Sequence, residues 1–312
     1  MYFTSLPDHS KPNFDEQEHF SQFKKHNIIF NTLSSYSECD YHVGCLSFKT
    51  VLSGEEWYGI GHRQVAVRPG KFLVMNDSQE YSSRIDSSES VRGLSIFFKK
   101  EFASAVLQEV LCKEQTLLDD PFTISPVNPE FFQTLNDIDL ELHIRLNGLL
   151  SSLNGFGYNS FVADEYLVFI LHHLIRTQVS GINYANNIKA VKPGTRIELY
   201  KRLCVAKDML ESSYMDQPDL KAISSMSCLS IPQLIRQFKS VFHTTPHQYL
   251  IRIRLKRAME LLYHTNKPVH EITWRCGFEN ISAFCRAFKS EYGVQPARYR
   301  KSGETTSFHL PQ

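Results

Sequence analysis

Apolar residues recur in two rhythms along this 312-residue chain, and the change of rhythm divides it. Over 27–102 the apolar runs are short and rich in β-branched and aromatic residues: 28–30, 42–51, 57–67, 71–75 and 91–98. Turn formers separate them, as at Ser53-Gly54, Pro69-Gly70 and Asn76-Asp77. Such spacing predicts strands of a sandwich or small barrel. After Pro129 the period lengthens. Phe131, Leu135, Ile138, Leu142, Leu146, Leu149 and Leu153 form one stripe at helical spacing, and a second helix is expected over 161–178. These helices can pack on the β domain, mediate self-association, or do both. The polar first 20 residues read as a loose arm, and 180–195, with Gly181, Pro193 and Gly194, as a linker. Helices are then expected over 196–212, 219–228, 231–242, 246–264, 269–276 and 281–292. Pro246 suits a first helical position, and Ser230 and Asn280 are placed as N-caps.

The last hundred residues repeat at an offset of fifty. Leu234-Ile235-Arg236-Gln237-Phe238-Lys239-Ser240 returns as Phe284-Cys285-Arg286-Ala287-Phe288-Lys289-Ser290, Pro246 as Pro296 and Tyr249 as Tyr299. A fixed period means one structural unit used twice. At 100° per residue Leu234, Phe238 and Val241 share a face, while Pro232, Arg236 and Ser240 lie opposite, flanked by Gln233 and Lys239. In the second copy Ser282, Arg286 and Ser290 take the outer face, flanked by Ala283 and Lys289. Each such helix follows a short helix and a tight turn, for which Gly277 is suited. This is a helix-turn-helix, whose second helix enters the major groove of DNA. The arginines can read guanine or hold phosphate, and the lysines suit phosphate. The 19-residue segment 246–264 would span about 28 Å as a helix, against about 34 Å between successive major-groove faces.

Charge changes this picture in the same direction. Residues 1–194 hold 16 Lys+Arg against 23 Asp+Glu, and 195–301 hold 18 against 9. A basic module joined to an acidic one is the footprint of a nucleic-acid binder with a separate second domain. No apolar run reaches the length of a membrane span and no secretory signal opens the chain, so a cytoplasmic location is expected. The seven scattered cysteines, without a Cys-x-x-Cys, read as reduced thiols.

Gly277-Phe278, Ser282, Phe284, Arg286, Phe288-Lys289, Gly293, Pro296 and Tyr299-Arg300 resemble the carboxy-terminal motif of AraC/XylS-type transcription regulators. Leu229-Ser230, Leu234, Arg236, Phe238-Lys239, Pro246, Tyr249-Leu250 and Arg254-Leu255 match its first half. The resemblance covers 196–301 and implies seven helices, two helix-turn-helix units and promoter binding. Two positions depart from it: His243 stands where the family usually has glycine, and Thr273 where alanine is common. Pro232 and Ile235 occupy positions that often face bases, so the first unit is expected to read little by hydrogen bonds. The expected DNA contacts are Pro232, Gln233, Arg236, Lys239, Arg252, Asn280, Ser282, Ala283, Arg286, Lys289 and Arg300. Arg254, Lys256 and Arg257 crowd the same helix as Arg252, as backbone contacts or solvated charges.

The amino-terminal half is similar to the family's cupin-like sensing domain only around Arg68-Pro69-Gly70-Lys71-Phe72-Leu73-Val74. Trp57, Tyr58, His62 and Tyr81 are candidates to line a ligand. Tyr81 falls where a metal-binding cupin has histidine, and no His-x-His occurs, so neither metal nor cofactor is expected. The expectation is an α+β multidomain protein. Residues 1–20 form a flexible arm, 21–125 a cupin-like β-barrel, 126–179 a helical dimerisation element, 180–195 a linker, 196–301 an all-α DNA-binding domain with two helix-turn-helix units, and 302–312 a tail. Its expected partners are double-stranded DNA, a second copy, a small-molecule effector and, for an activator, RNA polymerase. The alternative is a cupin-type enzyme or DNA-repair protein carrying a helix-turn-helix. Catalytic motifs fail on inspection: His270-Glu271 lacks the second histidine of a zinc protease, having Trp274 there, and Gly70-Lys71 lacks the rest of a phosphate loop.

Overall fold

A computed structural model describes residues 1–6, 15–111, 129–186, 188 and 192–303. The chain divides into two units, Met1–Asn187 and Ile188–Gln312.

Among the described residues the first unit is built on an eight-stranded sheet. Its strands are β1 (Tyr2–Phe3), β2 (Ile28–Val43), β3 (Ser47–Ser53), β4 (Glu56–Ile60), β5 (Arg63–Val67), β6 (Lys71–Met75), β7 (Glu80–Phe97) and β8 (Asn136–Asp137). The order is β1-β2-β7-β3-β6-β8, with β4 paired to β5 and to β7. All pairings are antiparallel except β1 with β2. Long β7 changes partners along its length: Ser82–Arg84 face β4, and Arg92–Phe97 face β3. The expected barrel is therefore corrected to an open sheet. Its edge strands β1 and β8 have two residues each and do not pair with each other, so among the described residues no ladder closes the ring.

Among the described residues, helices α1 (Glu16–Lys25), α2 (Lys100–Leu111), α3 (Leu140–Phe156) and α4 (Ser160–Asn186) belong to this unit. The alternation of β3, β6 and β7 sends Phe48, Phe72, Val74, Leu94 and Ile96 into one core with Leu142, Leu146, Leu149 and Leu153 of α3 and Leu167, Leu171 and Leu174 of α4. The intervening residues face the other side, where Tyr58, Val65, Val67, Leu73, Met75, Tyr81 and Leu135 form a second core. Sequence periodicity overextended α3. Phe131, Leu135 and Ile138 precede the helix, because Asn136-Asp137 pair with β6 and Asp139 caps α3, accepting from Leu142 N at 2.9 Å. Within the expected arm of residues 1–20, Tyr2–Phe3 pair with β2 and α1 begins at Glu16. Within the expected linker 180–195, α4 runs to Asn186 and the next helix opens at Pro193. No helix among the described residues is long and apolar enough to cross a membrane.

Among its described residues the second unit holds seven helices: α5 (Pro193–Ser212), α6 (Leu220–Met226), α7 (Ile231–Phe242), α8 (Pro246–His264), α9 (Val269–Arg275), α10 (Ile281–Tyr292) and α11 (Pro296–Gly303). Phe284 and Phe288 of α10 are fully buried with Leu255, Ala258 and Leu262 of α8 and Ile272 of α9. Leu234, Phe238 and Val241 bury the matching face of α7.

Candidate nucleic-acid interface

The duplicated units fold alike because their punctuation is duplicated. The turn after α6 has Cys228 at φ of 51°, and the turn after α9 has Gly277 at φ of 78°. Helix α7 ends at His243, φ 56°, and α10 at Gly293, φ 75°. Both turns of the second unit thus have glycine in the left-handed region, while the first unit forces side-chain-bearing residues into it. Gly277 has a second constraint. A Cβ there would sit 2.7 Å from Met215 O and 2.8 Å from Tyr214 O.

Caps set where each recognition helix begins. Asn280 Oδ1 accepts from Ser282 N at 2.8 Å and Ala283 N at 3.1 Å. Ser230 stands at the N-cap of α7 but its side chain makes no capping bond, a correction with a simple cause. One of the two amides such a cap uses belongs to Pro232, which has no N–H. Thr245 and Gln248 form a reciprocal capping box at the start of α8. The Thr-x-x-Gln spacing announced it, although the sequence reading passed over it.

With the apolar faces buried, Pro232, Arg236, Lys239 and Ser240 on α7 are exposed, as are Ser282, Ala283, Arg286, Lys289 and Ser290 on α10; Gln233 is half-buried. Among the described residues no carboxylate pairs with Arg236, Lys239, Arg286 or Lys289, so these four charges face solvent at matching positions. Arg252 is exposed on α8, 3.8 Å from Glu291. Asn280 has its oxygen committed to the cap. Arg300 is half-buried and donates to Lys267 O, which ties α11 to the loop before α9. Arg254 is not a surface charge. It is buried on α8 and donates to Tyr214 O at 2.7 Å and Asp216 O at 2.6 Å, and burial lowers its pKa. Its guanidinium fastens the central helix to the segment between α5 and α6. Arg257 pairs with Glu260 at 2.8 Å.

The four ligand candidates separate. Tyr58 and Tyr81 are buried together with ring centres 6.2 Å apart. Trp57 faces away from them, its indole N–H on Glu55 at 3.1 Å, and His62 is exposed on the β4–β5 turn. Lys49 and Glu56, beside the two tyrosines, were missed; the signal was a lysine at an inward position of an alternating strand. Among the described residues no group of three His, Cys, Asp or Glu is placed to hold a metal ion.

Residues 223–302 match a family model described as a helix-turn-helix domain. The chain is 35% identical over 91 residues to a probable transcriptional regulator, LumQ, of Photobacterium leiognathi, covering 29% of this chain and 37% of that protein. It is 34% identical over 100 residues to the HTH-type transcriptional activator RhaS of Escherichia coli, covering 32% of this chain and 36% of RhaS. The match thus spans little more than a third of these curated relatives. Among solved structures, the DNA-binding domain of AdpA in complex with a target DNA is 28% identical over 32% of this chain and 91% of that one, with a TM-score of 0.31. ToxT from Vibrio cholerae is 13% identical over 88% of this chain and 97% of that one, with a TM-score of 0.34.

Proposed function

We propose that this chain, whose carboxy-terminal unit carries an AraC-type helix-turn-helix domain, is a sequence-specific transcription regulator controlled through its amino-terminal unit. One observation carries the reading: two helices of the same build each present an arginine and a lysine to solvent at equivalent positions, without counter-ions among the described residues. Arg236 and Arg286 are the base-reading candidates, Lys239 and Lys289 the phosphate contacts. Arg252 and Arg300 supply further charge, while Pro232, Gln233, Asn280, Ser282 and Ala283 line the approach.

The amino-terminal unit is read as the control element. An effector held there changes how two bound copies present their DNA-binding units, through linkage. A second copy is assigned to α3 and α4, where Leu140, Ile144 and Phe169 remain exposed and the Arg145 guanidinium lies 4.1 Å from the Phe169 ring centre. The protein works on cytoplasmic DNA and, as an activator, would also touch RNA polymerase. The relatives over this domain are regulators, which disfavours the enzyme alternative. Selection of duplex oligonucleotides on the full chain, followed by gel shift against random DNA, tests the reading. A selected sequence bound at least a hundredfold tighter is expected; equal binding would overturn sequence specificity.

A further inference from the structure

Both helix-turn-helix units pack on α8, α7 through Phe238 against Tyr249 and α10 through Phe284 and Phe288. Among the described residues, the core around Phe284 and Phe288 includes no side chain of α6 or α7. A polar contact joins the two units instead. The segment 213–218 leaves α5 and ends at Asp219, whose carboxylate caps α6 by accepting from Lys221 N at 3.1 Å. On its way to that cap it lies in the turn that opens the second recognition helix. A Cβ on Gly277 would sit 2.7 Å from Met215 O, 2.8 Å from Tyr214 O and 3.0 Å from Arg254 Nε. Gln217 Nε2 donates to Glu279 Oε1 at 2.7 Å, next to the Asn280 cap of α10. Arg254 closes the contact from α8. It is 5% exposed, donates through Nε to Tyr214 O and through Nη2 to Asp216 O, and stands 5.8 Å from the Phe278 ring centre. Its planar fork holds two carbonyls in one fixed arrangement, which an ammonium or an aliphatic side chain cannot do. At the offset of fifty Arg254 would return at Glu304, so the repeated unit itself does not call for it.

We propose that Arg254 is a positioning residue for DNA recognition. By clasping Tyr214 O and Asp216 O it holds 213–218 against the turn at Gly277, and so fixes the offset between α7 and α10. The length of α8 sets how far apart the two recognition helices stand. Their rotation about its axis needs a second tie. This contact supplies one, because it runs from the cap of the first unit's leading helix, Asp219, to the cap of the second unit's recognition helix, Asn280. A pair of readers held as one body spends little further ordering on its second subsite. Without the clasp each unit binds on its own, and the joint affinity falls toward that of a single subsite. Arg254 acts through the recognition helices and is too buried to touch the duplex itself. The role rests on the regulator reading proposed above.

The test is a competition gel shift with the full chain on three kinds of duplex: the selected site, the same site with one base pair inserted between its subsites, and fragments with either subsite scrambled. One inserted base pair turns one subsite about the other by about 35°. The parent is expected to lose about tenfold or more on the inserted site, as much as one mismatched base pair takes away. Arg254→Met, which fills the space without donors, should bind the selected site several-fold more weakly, lose little further on insertion, and match the parent on single-subsite fragments. A role confined to stability would weaken binding on every fragment alike and leave the insertion penalty intact. Arg254→Lys, which keeps the charge but not the fork, serves should the methionine variant fail to fold, and is expected to relax the penalty in the same sense. A parent indifferent to the insertion, a variant with an unchanged penalty, or equal losses on one and two subsites would overturn the positioning role and leave the regulator standing. A parent that prefers no selected sequence over random DNA sinks the regulator reading, and the role with it.

Discussion

At the scale of single residues, the two helix-turn-helix units differ most in backbone strain. His243 holds the left-handed position that Gly293 holds in the second unit, at φ of 56° against 75°. A side chain there costs about 1 kcal/mol relative to glycine. His243→Gly is therefore expected to stabilise the carboxy-terminal unit by roughly that amount in urea unfolding. Trp274 lies in that unit and Trp57 in the other, so a Trp57→Phe background isolates the signal. Gly277→Ala should do the opposite, and by more, on the order of 2–3 kcal/mol, because a Cβ would press on Tyr214 O and Met215 O as well as strain φ. That Gly277 needed to be glycine was legible from its place in a turn; that two carbonyls crowd it was not, since Arg254 draws that segment in from 38–40 residues away. Lys49 adds a pH dependence. Burial pushes its ammonium down from 10.5 to about 8. The unfolded chain holds that proton more tightly, so the destabilisation is complete below pH 8 and lifts as pH rises toward 10.5. Lys49→Met should be more stable than the parent at pH 7, with the gap narrowing by pH 10. Glu56, Cys39, Cys45 and Tyr81 face the same group and titrate in both proteins, so only the difference between the two curves is informative. A constant gap across that range would remove the buried charge from the account.

At the scale of elements, what the sequence made legible depended on whether a period and a stop signal agreed. Helices α7, α8 and α10 have the limits their apolar spacing, prolines and turn residues predicted. The stripe from Phe131 to Leu153 has an unbroken helical period yet only its last four members are helical, because Asn136–Asp139 divert the chain into a strand and a cap. Its other three members are buried or packed against the cores, so the pattern reported burial correctly and conformation wrongly. The recognition helices also differ in the chemistry they show. On α10 Ser282, Ala283, Arg286, Lys289 and Ser290 present a small or cationic face, with Ile281 exposed at the helix start, whereas α7 exposes Pro232 and Ile235, the latter 37% exposed beside Arg236. Arginine donors discriminate guanine by about 1–3 kcal/mol, and an apolar side chain reads the thymine methyl. Arg286→Ala should cost about that much on the selected site and much less on random DNA, measured by competition gel shift. Replacing thymines by deoxyuridine under the first unit should weaken the parent several-fold and Ile235→Ala hardly at all. Equal uracil sensitivity in both would show that Ile235 does not touch the bases.

At the scale of the whole molecule, the excess of positive charge and the exposed pair Leu140 and Ile144 belong to different units, and their coupling can be measured. The carboxy-terminal segment 195–301 carries 18 Lys+Arg against 9 Asp+Glu, while Leu140 and Ile144, one helical turn apart on α3, stay exposed in the acidic unit. Salt dependence counts phosphate contacts: log affinity falls against log salt with a slope of about −0.9 per phosphate neutralised. A second copy joined through α3 and α4 would double the helix-turn-helix units on one DNA fragment, and so double the slope. Leu140→Glu with Ile144→Glu adds charge only where side chains already meet water, so the fold of each copy should survive. The double variant is expected to run as a monomer in light scattering, to keep its circular dichroism, and to show about half the parent's salt slope on the selected site. A parent that is already monomeric on DNA, or a variant with an undiminished slope, would take α3 out of the interface and leave each chain to bind through its own pair of helices.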